Sequence, residues 1–227
     1  MPFRDLGERV REVRDRVAAA AARGGHGQTV TIVAVTKTHG PDAVRAAWGA
    51  GLRDVGENRV QEALSKMPEV EAPLRWHLIG HLQRNKVKFL DRFHLVHSID
   101  SARLADAVQV HGASTGRALD VLVQVNVSGE STKGGFSIED VAREAERLAT
   151  LDALRVVGAM TMAPFDADDA TLRRVFSLAH DARGILAAAG HPATELSMGM
   201  SNDYEVAAEE GATLVRLGTV LFGARST

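Results

Sequence analysis

The residues of this chain with the clearest chemical potential stand at the ends of its first and last apolar segments. Lys37 directly follows the apolar run 30–36, and Arg216, Gly218 and Thr219 close the last run. In a closed barrel of parallel strands the first and last strands are neighbours, so these residues would meet at one rim. An amine beside a cation and an anion cradle suits a phosphorylated aldehyde as ligand.

Lys37 is a candidate nucleophile. It shares side-chain parity with Val33 and Val35, and it would therefore point into the mouth of the barrel. Apolar neighbours and a nearby Arg favour the neutral amine, which forms Schiff bases. The alternatives are a lysine that reaches solvent or forms a salt bridge at the strand end and, for Arg216, a structural ion pair.

A phosphate site is predicted where the last two strands end. Ser201 stands just before a helix start, where free N–H groups and the helix dipole favour an anion. Gly218 would let backbone approach a ligand closely, and Thr219 adds an N–H group and a hydroxyl. The alternative for Ser201 is a simple helix cap.

The elements that must position these residues are eight apolar runs that alternate with helical patterns. Several of these runs have apolar residues at both odd and even positions, which is typical of strands covered on both faces. Together they predict an α/β fold with a single (β/α)8 TIM-type barrel, as one domain over residues 1–227. An open doubly wound sheet is the alternative, although no glycine fingerprint follows the first strand. The predicted strands are 30–36, 53–56, 76–79, 94–97, 120–127, 155–160, 194–198 and 213–217.

The residues before the first strand predict an amphipathic helix. Phe3, Leu6, Val10, Val13 and Val17 recur at spacings of three and four. Because few residues follow the last strand, we expect this helix to cover the barrel where a final helix would lie.

Charge and cysteine content argue against several classes of function. The 227 residues carry a formal charge of -2, which argues against a dedicated nucleic-acid-binding protein. The lack of cysteine excludes disulfides, thiolate zinc sites and a cysteine nucleophile. We recognise no secretion signal and no membrane span. These features predict a cytoplasmic protein with neither nucleic-acid nor membrane partners.

The nine histidines raise the question of a metal site. His77 and His81 straddle a strand and a turn, whereas His94 and His97 have opposite parity on one strand. Neither pair shares a face, so we expect no metal site. Asn58 and His81 are expected either to line the mouth or to organise its loops.

Seven stretches over nearly the whole chain resemble the YggS/PROSC family, the pyridoxal phosphate homeostasis proteins. Thr36 and Arg59 depart from the Ser and Tyr that relatives often carry, without disturbing the expected roles. The stretches are VAVTKTH (33–39), VGENRVQEALSK (55–66), WHLIGHLQRNK (76–86), VHSIDS (96–101), VNVSGESTKGGF (125–136), LSMGMSNDYEVAAEEGAT (196–213) and VRLGTVLFGAR (215–225).

The resemblance implies a fold-type III barrel similar to the N-terminal domain of alanine racemase, with pyridoxal 5'-phosphate held on one lysine as a Schiff base. Ser201, Gly218 and Thr219 would hold the phosphate, and Arg216 would face the pyridine nitrogen. The cofactor-binding residues implied in this way are Lys37, Asn58, Ser201, Arg216, Gly218 and Thr219.

Three functions follow as hypotheses. We expect a carrier in vitamin B6 homeostasis without substantial catalysis, a monomer that could pass pyridoxal phosphate to apo-enzymes. The second is a pyridoxal phosphate-dependent amino-acid racemase. Racemases add a C-terminal domain with a catalytic tyrosine, whereas we expect no such domain here, and Tyr204 follows the seventh strand. The third is an aldolase that uses Lys37 without a cofactor.

Overall fold

Eight parallel strands form a closed barrel in the computed structural model, which describes residues 3–127 and 134–223. Each strand pairs with the next, and the last pairs with the first. This confirms the predicted barrel, and the open-sheet alternative is wrong. The strands are β1 Thr31–Val35, β2 Asp54–Glu57, β3 Arg75–Leu78, β4 Leu95–Ile99, β5 Leu119–Gln124, β6 Leu154–Met160, β7 Glu195–Ser197 and β8 Leu214–Leu217.

The helices between the strands begin at residues with clear local signals. Pro41 occupies the first turn of its helix, Ser137 forms a capping box with Asp140, and Asp168 accepts a hydrogen bond from Thr171 N. Short 3-10 segments span Met67–Glu69 and Arg84–Arg92. The α-helices are α1 Leu6–Gly24, α2 Pro41–Gly49, α3 Val60–Lys66, α4 Ala102–Thr115, α5 Ile138–Ala149, α6 Asp169–Ala188, α7 Tyr204–Glu209 and α8 Thr219–Phe222.

Helix α1 covers the barrel between its last and first helices, as the sequence predicts. It buries Val10, Val13 and Val17, and it contacts α7, α8 and α2. Arg9 Nη1 donates to Leu221 O at 2.8 Å, which ties α1 to the short helix α8. Throughout the part of the chain that the structure describes, no helix is both long and apolar enough to cross a membrane.

The two faces of the barrel wall have different partners. Outward side chains pack against the helices in one large apolar core. Inside the barrel, a small apolar cluster includes Val33, Leu95, Leu122, Met160 and Leu214. Buried polar side chains fill further inward positions of β2, β3, β4, β7 and β8, and they lead towards the carboxyl ends of the strands.

Candidate functional site

The carboxyl ends of the strands surround a cavity of about 710 Å³. Volumes of this order suit a small organic ligand. Apolar side chains such as Ile79 and Met162 form part of its wall. The cavity lining includes all six residues that the sequence predicts to bind a cofactor: Lys37, Asn58, Ser201, Arg216, Gly218 and Thr219.

Lys37 lies in a tight turn directly after β1. His39 N donates to Thr36 O at 3.1 Å, and Thr38 has a φ of 68°. A β-branched residue rarely adopts this left-handed conformation, which costs about 1–3 kcal/mol. Contacts around the turn must therefore offset that strain.

Three ionisable side chains packed between the barrel wall and α3 supply such contacts. We call Glu57, Glu62 and Lys66 the outer ion cluster. Lys66 Nζ donates to Glu57 Oε1 at 2.7 Å and to Glu62 Oε1 at 2.8 Å. Lys66 and Glu57 are both fully enclosed, with side chains only 5% and 0% exposed. The cluster is thus a buried ion network rather than a surface salt bridge.

The outer ion cluster holds the backbone on both sides of Lys37. Lys66 Nζ donates to Thr36 O at 2.9 Å, and Glu62 Oε1 accepts from Thr38 N at 2.5 Å. The Thr36 hydroxyl also donates to Glu57 Oε1 at 2.6 Å. These bonds fix the backbone position from which the Lys37 side chain extends.

The pKa values of the two carboxylates of the cluster are shifted in opposite directions. Burial raises the pKa of Glu57 and outweighs its bonds to Lys66 and Thr36. Burial also acts on Glu62, but its bonds from Lys66 and Thr38 N outweigh it and lower the pKa. Glu57 is therefore the carboxylate that takes up a proton first.

Arg216 lies at the base of the cavity and is 4% exposed. Its Nη1 donates to Ser197 Oγ at 2.6 Å, and its Nη2 donates to Thr161 O at 2.9 Å. Burial lowers the pKa of Arg216 to about 10, against the opposing charge of Asp203. The guanidinium still carries its charge at neutral pH. Among residues 3–127 and 134–223, its side-chain bonds go to Ser197 and Thr161 rather than to a carboxylate, which argues against the ion-pair alternative.

The predicted phosphate site lies at the junction of β8 and α8. Ser201 Oγ accepts from Gly218 N and from Val220 N, each at 3.3 Å. These backbone N–H groups therefore converge on one acceptor oxygen, which is the arrangement that an anion can use. An added Cβ at Gly218 would meet nothing nearer than Val35 at 3.6 Å. Packing leaves room there for a ligand.

The helix after Ser201 begins later than the sequence predicts. Helix α7 starts at Tyr204, and its N-cap is Asp203. Asp203 Oδ1 accepts from Met200 N at 2.5 Å, which holds the intervening turn. Ser201 therefore does not cap α7, and the simple-cap alternative is wrong. Its bonds go to the first residues around α8 instead.

Comparison with known proteins gives the family. The model of the alanine racemase N-terminal domain family matches residues 10–226. The chain belongs to this family.

Two curated relatives share one name, and the match covers nearly the whole of each. The chain is 41% identical to a pyridoxal phosphate homeostasis protein of Aquifex aeolicus, with 96% of this chain and 97% of that protein covered. Identity to the pyridoxal phosphate homeostasis protein of Pseudomonas aeruginosa is 42%, covering 97% and 96%. The solved structure of PipY from Synechococcus elongatus with PLP bound is 35% identical, with a TM-score of 0.85 and coverage of 96% and 100%.

Asn58 is held in this family member by a close approach of two turns. An added Cβ at Gly80 would lie 2.4 Å from Asn58 O, so only glycine fits after β3. This contact brings the β2 turn against the β3 turn and places Asn58 in the cavity wall. Its role towards a ligand stays a prediction.

His81 and Asp100 form a pair at the mouth that sequence reasoning missed. His81 Nδ1 lies 3.0 Å from Asp100 Oδ2, and both residues line the cavity. The His81 side chain is 70% exposed. Both residues come shortly after predicted strands, 76–79 and 94–97, so their position at the same rim could have suggested the pair.

His77 and His97 were weighed only as metal ligands, but they bond to each other inside the barrel. His77 Nδ1 and His97 Nε2 lie 2.9 Å apart. Their positions along β3 and β4 could have predicted this contact, since both side chains point into the barrel. Across residues 3–127 and 134–223, no group of three or more His, Asp or Glu side chains is arranged to hold a metal ion.

Proposed function

We propose that this protein binds pyridoxal 5'-phosphate and acts in vitamin B6 homeostasis as a carrier, with Lys37 as the attachment point. The observation that carries the proposal is the meeting of Lys37, Arg216 and the Ser201 cradle in one cavity. The PLP-bound PipY structure, on a matching fold, supports this choice of ligand.

The cavity offers a suitable group to each part of the cofactor. Lys37 Nζ would join the aldehyde carbon, with the aldehyde oxygen leaving as water. Ser201 Oγ and the N–H groups of Gly218 and Thr219 would hold the phosphate. Asn58 would lie beside the ring. When bound, the cofactor supplies an electron-withdrawing ring.

Arg216 would face the pyridine nitrogen as a hydrogen-bond donor. Its pKa of about 10 keeps it protonated at neutral pH, so it does not act there as an acceptor. A donor that keeps its own proton leaves the ring nitrogen unprotonated. The ring then withdraws electrons less strongly, which favours storage over chemistry at a bound amino acid.

Low catalytic activity is also part of the proposal. Racemisation needs a proton carrier on each face of the reacting carbon. Tyr204 does not line the cavity; burial raises its pKa, and Arg16 of α1 lies beside it. The pair of His81 and Asp100 is the observation that favours the racemase alternative. Its position at an open mouth suits exchange of the cofactor with solvent better.

The attachment point is tested by borohydride reduction of the protein loaded with pyridoxal phosphate. Reduction makes the carbon–nitrogen bond permanent, and we expect one pyridoxyl phosphate group on the peptide that contains Lys37. Lys37→Ala should lose both the label and the visible absorbance. A label mainly on another lysine would contradict the assignment to Lys37, whereas absence of any label would contradict the Schiff base, and absence of both label and visible absorbance would contradict cofactor binding itself.

The carrier function is tested by turnover. The loaded protein is incubated with L-alanine and with other L-amino acids, and enantiomers are separated by chiral chromatography. We expect little or no racemisation. Turnover at about 1 per second or faster, in the usual enzyme range, that disappears in both Lys37→Ala and His81→Ala would establish the racemase instead. A monomeric state, a cytoplasmic location and transfer to apo-enzymes stay predictions.

A further inference from the structure

A continuous series of hydrogen bonds leads from Arg216 through the interior of the barrel. Arg216 Nη1 bonds to Ser197 Oγ at 2.6 Å, and Ser197 Oγ lies 2.8 Å from His97 Nδ1. His97 Nε2 lies 2.9 Å from His77 Nδ1, and His77 Nε2 lies 2.9 Å from Asp54 Oδ1. We call Asp54, His77, His97 and Ser197 the inner chain.

The inner chain is shut off from solvent at every member. Ser197 and His97 are 0% exposed, His77 is 1% exposed and Asp54 is 4% exposed. Asp54 begins β2, at the opposite end of the barrel from the cavity. There Arg75 closes the series, with Nε donating to Asp54 Oδ1 at 2.7 Å and Nη2 donating to Oδ2 at 2.5 Å.

The chemistry of the two ends sets the direction of every bond. Burial alone would raise the pKa of Asp54, but bonds from His77 and Arg75 outweigh it and lower the pKa to about 2. Asp54 is therefore a carboxylate and can only accept, so His77 Nε2 carries the proton. Burial lowers the pKa of His77, so its ring is neutral near pH 7, and its unprotonated Nδ1 accepts from His97 Nε2.

The same reasoning continues to Arg216. His97 has its proton on Nε2, so its Nδ1 accepts from the Ser197 hydroxyl. The Ser197 oxygen then presents its lone pairs to Arg216, which can only donate. Both histidines are neutral in this arrangement. Burial, together with the charge of Arg216, lowers the pKa of His97 well below its usual value.

We propose that the inner chain positions Arg216 by fixing Ser197 as its acceptor, and that it thereby sets the strength with which the ring of the bound cofactor is held. The proposal rests on the proposed function for the contact between Arg216 and the ring. Its members are positioning residues, since none of them lines the cavity. The neutral imidazoles also matter, because a charged one would repel the guanidinium.

The first test uses the cofactor-free protein and needs no variant. Multiple-bond ¹H–¹⁵N spectra of the imidazole nitrogens at pH 7 distinguish the two neutral tautomers from the charged ring. We expect the rings of His77 and His97 each to be neutral, with the proton on Nε2. A charged ring, or a proton on Nδ1 of either one, would overturn the inner chain as described.

The second test removes one link. Ser197→Ala should shift the His97 Nδ1 resonance and weaken pyridoxal phosphate binding by up to about tenfold, because Arg216 then has to be ordered when the ring binds. Ser98→Ala is the matched control, because Ser98 is 1% exposed and donates to Gly80 O at 2.7 Å without reaching Arg216. It should change neither the imidazole spectrum nor the affinity by a comparable factor.

The outcomes separate this proposal from the proposed function. Unchanged affinity in Ser197→Ala, with the His97 resonance shifted, would overturn the positioning role and leave cofactor binding intact. Equal losses in Ser197→Ala and Ser98→Ala would also overturn it, since general destabilisation would then be the cause. If the wild-type protein fails to bind pyridoxal phosphate while the tautomers are as expected, the proposed function fails and the positioning role fails with it.

Discussion

The outer ion cluster and the inner chain lie on opposite faces of the same barrel wall, and they bury polar atoms in different ways. The outer ion cluster places full charges within 2.7 and 2.8 Å of one lysine. The inner chain instead spans the barrel with neutral imidazoles and keeps its charges at the two ends. Each supports one basic side chain of the cavity: the outer ion cluster supports Lys37, and the inner chain supports Arg216.

The difference follows from what each region must hold. Glu62 and Lys66 bind backbone atoms of a strained turn, so a short, strong network next to Lys37 is enough. Arg216 is itself a buried charge, and a second charged group beside it inside the barrel would be costly. A relay of neutral groups satisfies its Nη1 without adding charge there. Strand parity separates the two networks, since alternate residues face alternate sides.

Breaking the outer ion cluster should have the largest effect. Lys66→Met leaves Glu57 and Glu62 without their buried cation, and removal of one partner of such a network costs about 3–5 kcal/mol. Chemical denaturation of the cofactor-free protein measures this loss. Because burial already raises the pKa of Glu57, the loss should grow as the pH rises above the usual value of a Glu.

An exposed ion pair provides the control for that variant. Arg143 pairs with Asp140 on the surface, with its side chain 74% exposed. Arg143→Met should change the free energy of unfolding by less than about 1 kcal/mol. Similar losses in the two variants would show that burial does not distinguish the outer ion cluster from surface pairs.

Ser201→Ala should separate binding from stability, because Ser201 belongs to neither network. Loss of one hydrogen bond to a charged phosphate is worth about 1.5–3 kcal/mol. Affinity for pyridoxal phosphate should thus fall about ten- to a hundredfold, with little change in the unfolding of the cofactor-free protein. Ser201→Thr keeps a hydroxyl and should retain more of the affinity. Unchanged affinity in the Ala variant would restrict Ser201 to bonding Gly218 N and Val220 N.

Lowering the pH should destabilise the protein through the inner chain, by less than the loss expected for Lys66→Met. Burial lowers the pKa of both His77 and His97, so the unfolded chain takes up protons first as the pH falls. Stability should be full above pH 6.5 and decline below it, by up to about 1.4 kcal/mol per pH unit for each histidine. The lowered pKa of Asp54 adds a further loss below pH 3.8.

A matched pair of variants assigns that acid loss. Arg75, His94 and Arg216 are the other charged or titratable groups that act on the two histidines. His97→Gln removes one titrating group and should flatten the decline of stability between pH 6.5 and 5. His26→Gln, at an exposed position outside the barrel interior, should change the slope far less. An identical slope in all three proteins would mean that the inner chain does not titrate in this range.

Much of the fold was predictable because its signals are local. Alternation of apolar runs with helical patterns identified all eight strands, and the spacing of Val10, Val13 and Val17 identified α1. The boundary at Ser201 was less accurate, since Asp203 rather than Ser201 precedes α7. The bond from Met200 N to Asp203 Oδ1 fixes the turn before α7. Both Ser201 and Asp203 are common N-cap residues, so the sequence alone does not show which of them precedes the helix.

The sequence by itself determined the barrel and the set of residues at its carboxyl rim, because parallel strands in a closed barrel all end on the same side. Lys37 and Arg216 could therefore be placed in one cavity without coordinates. Only the tertiary structure decided what supports them. Ser197 and His97 are 100 residues apart in sequence, and their bond depends on side-chain directions across the barrel interior. No local pattern carries that information, since it arises when the strands close into a barrel.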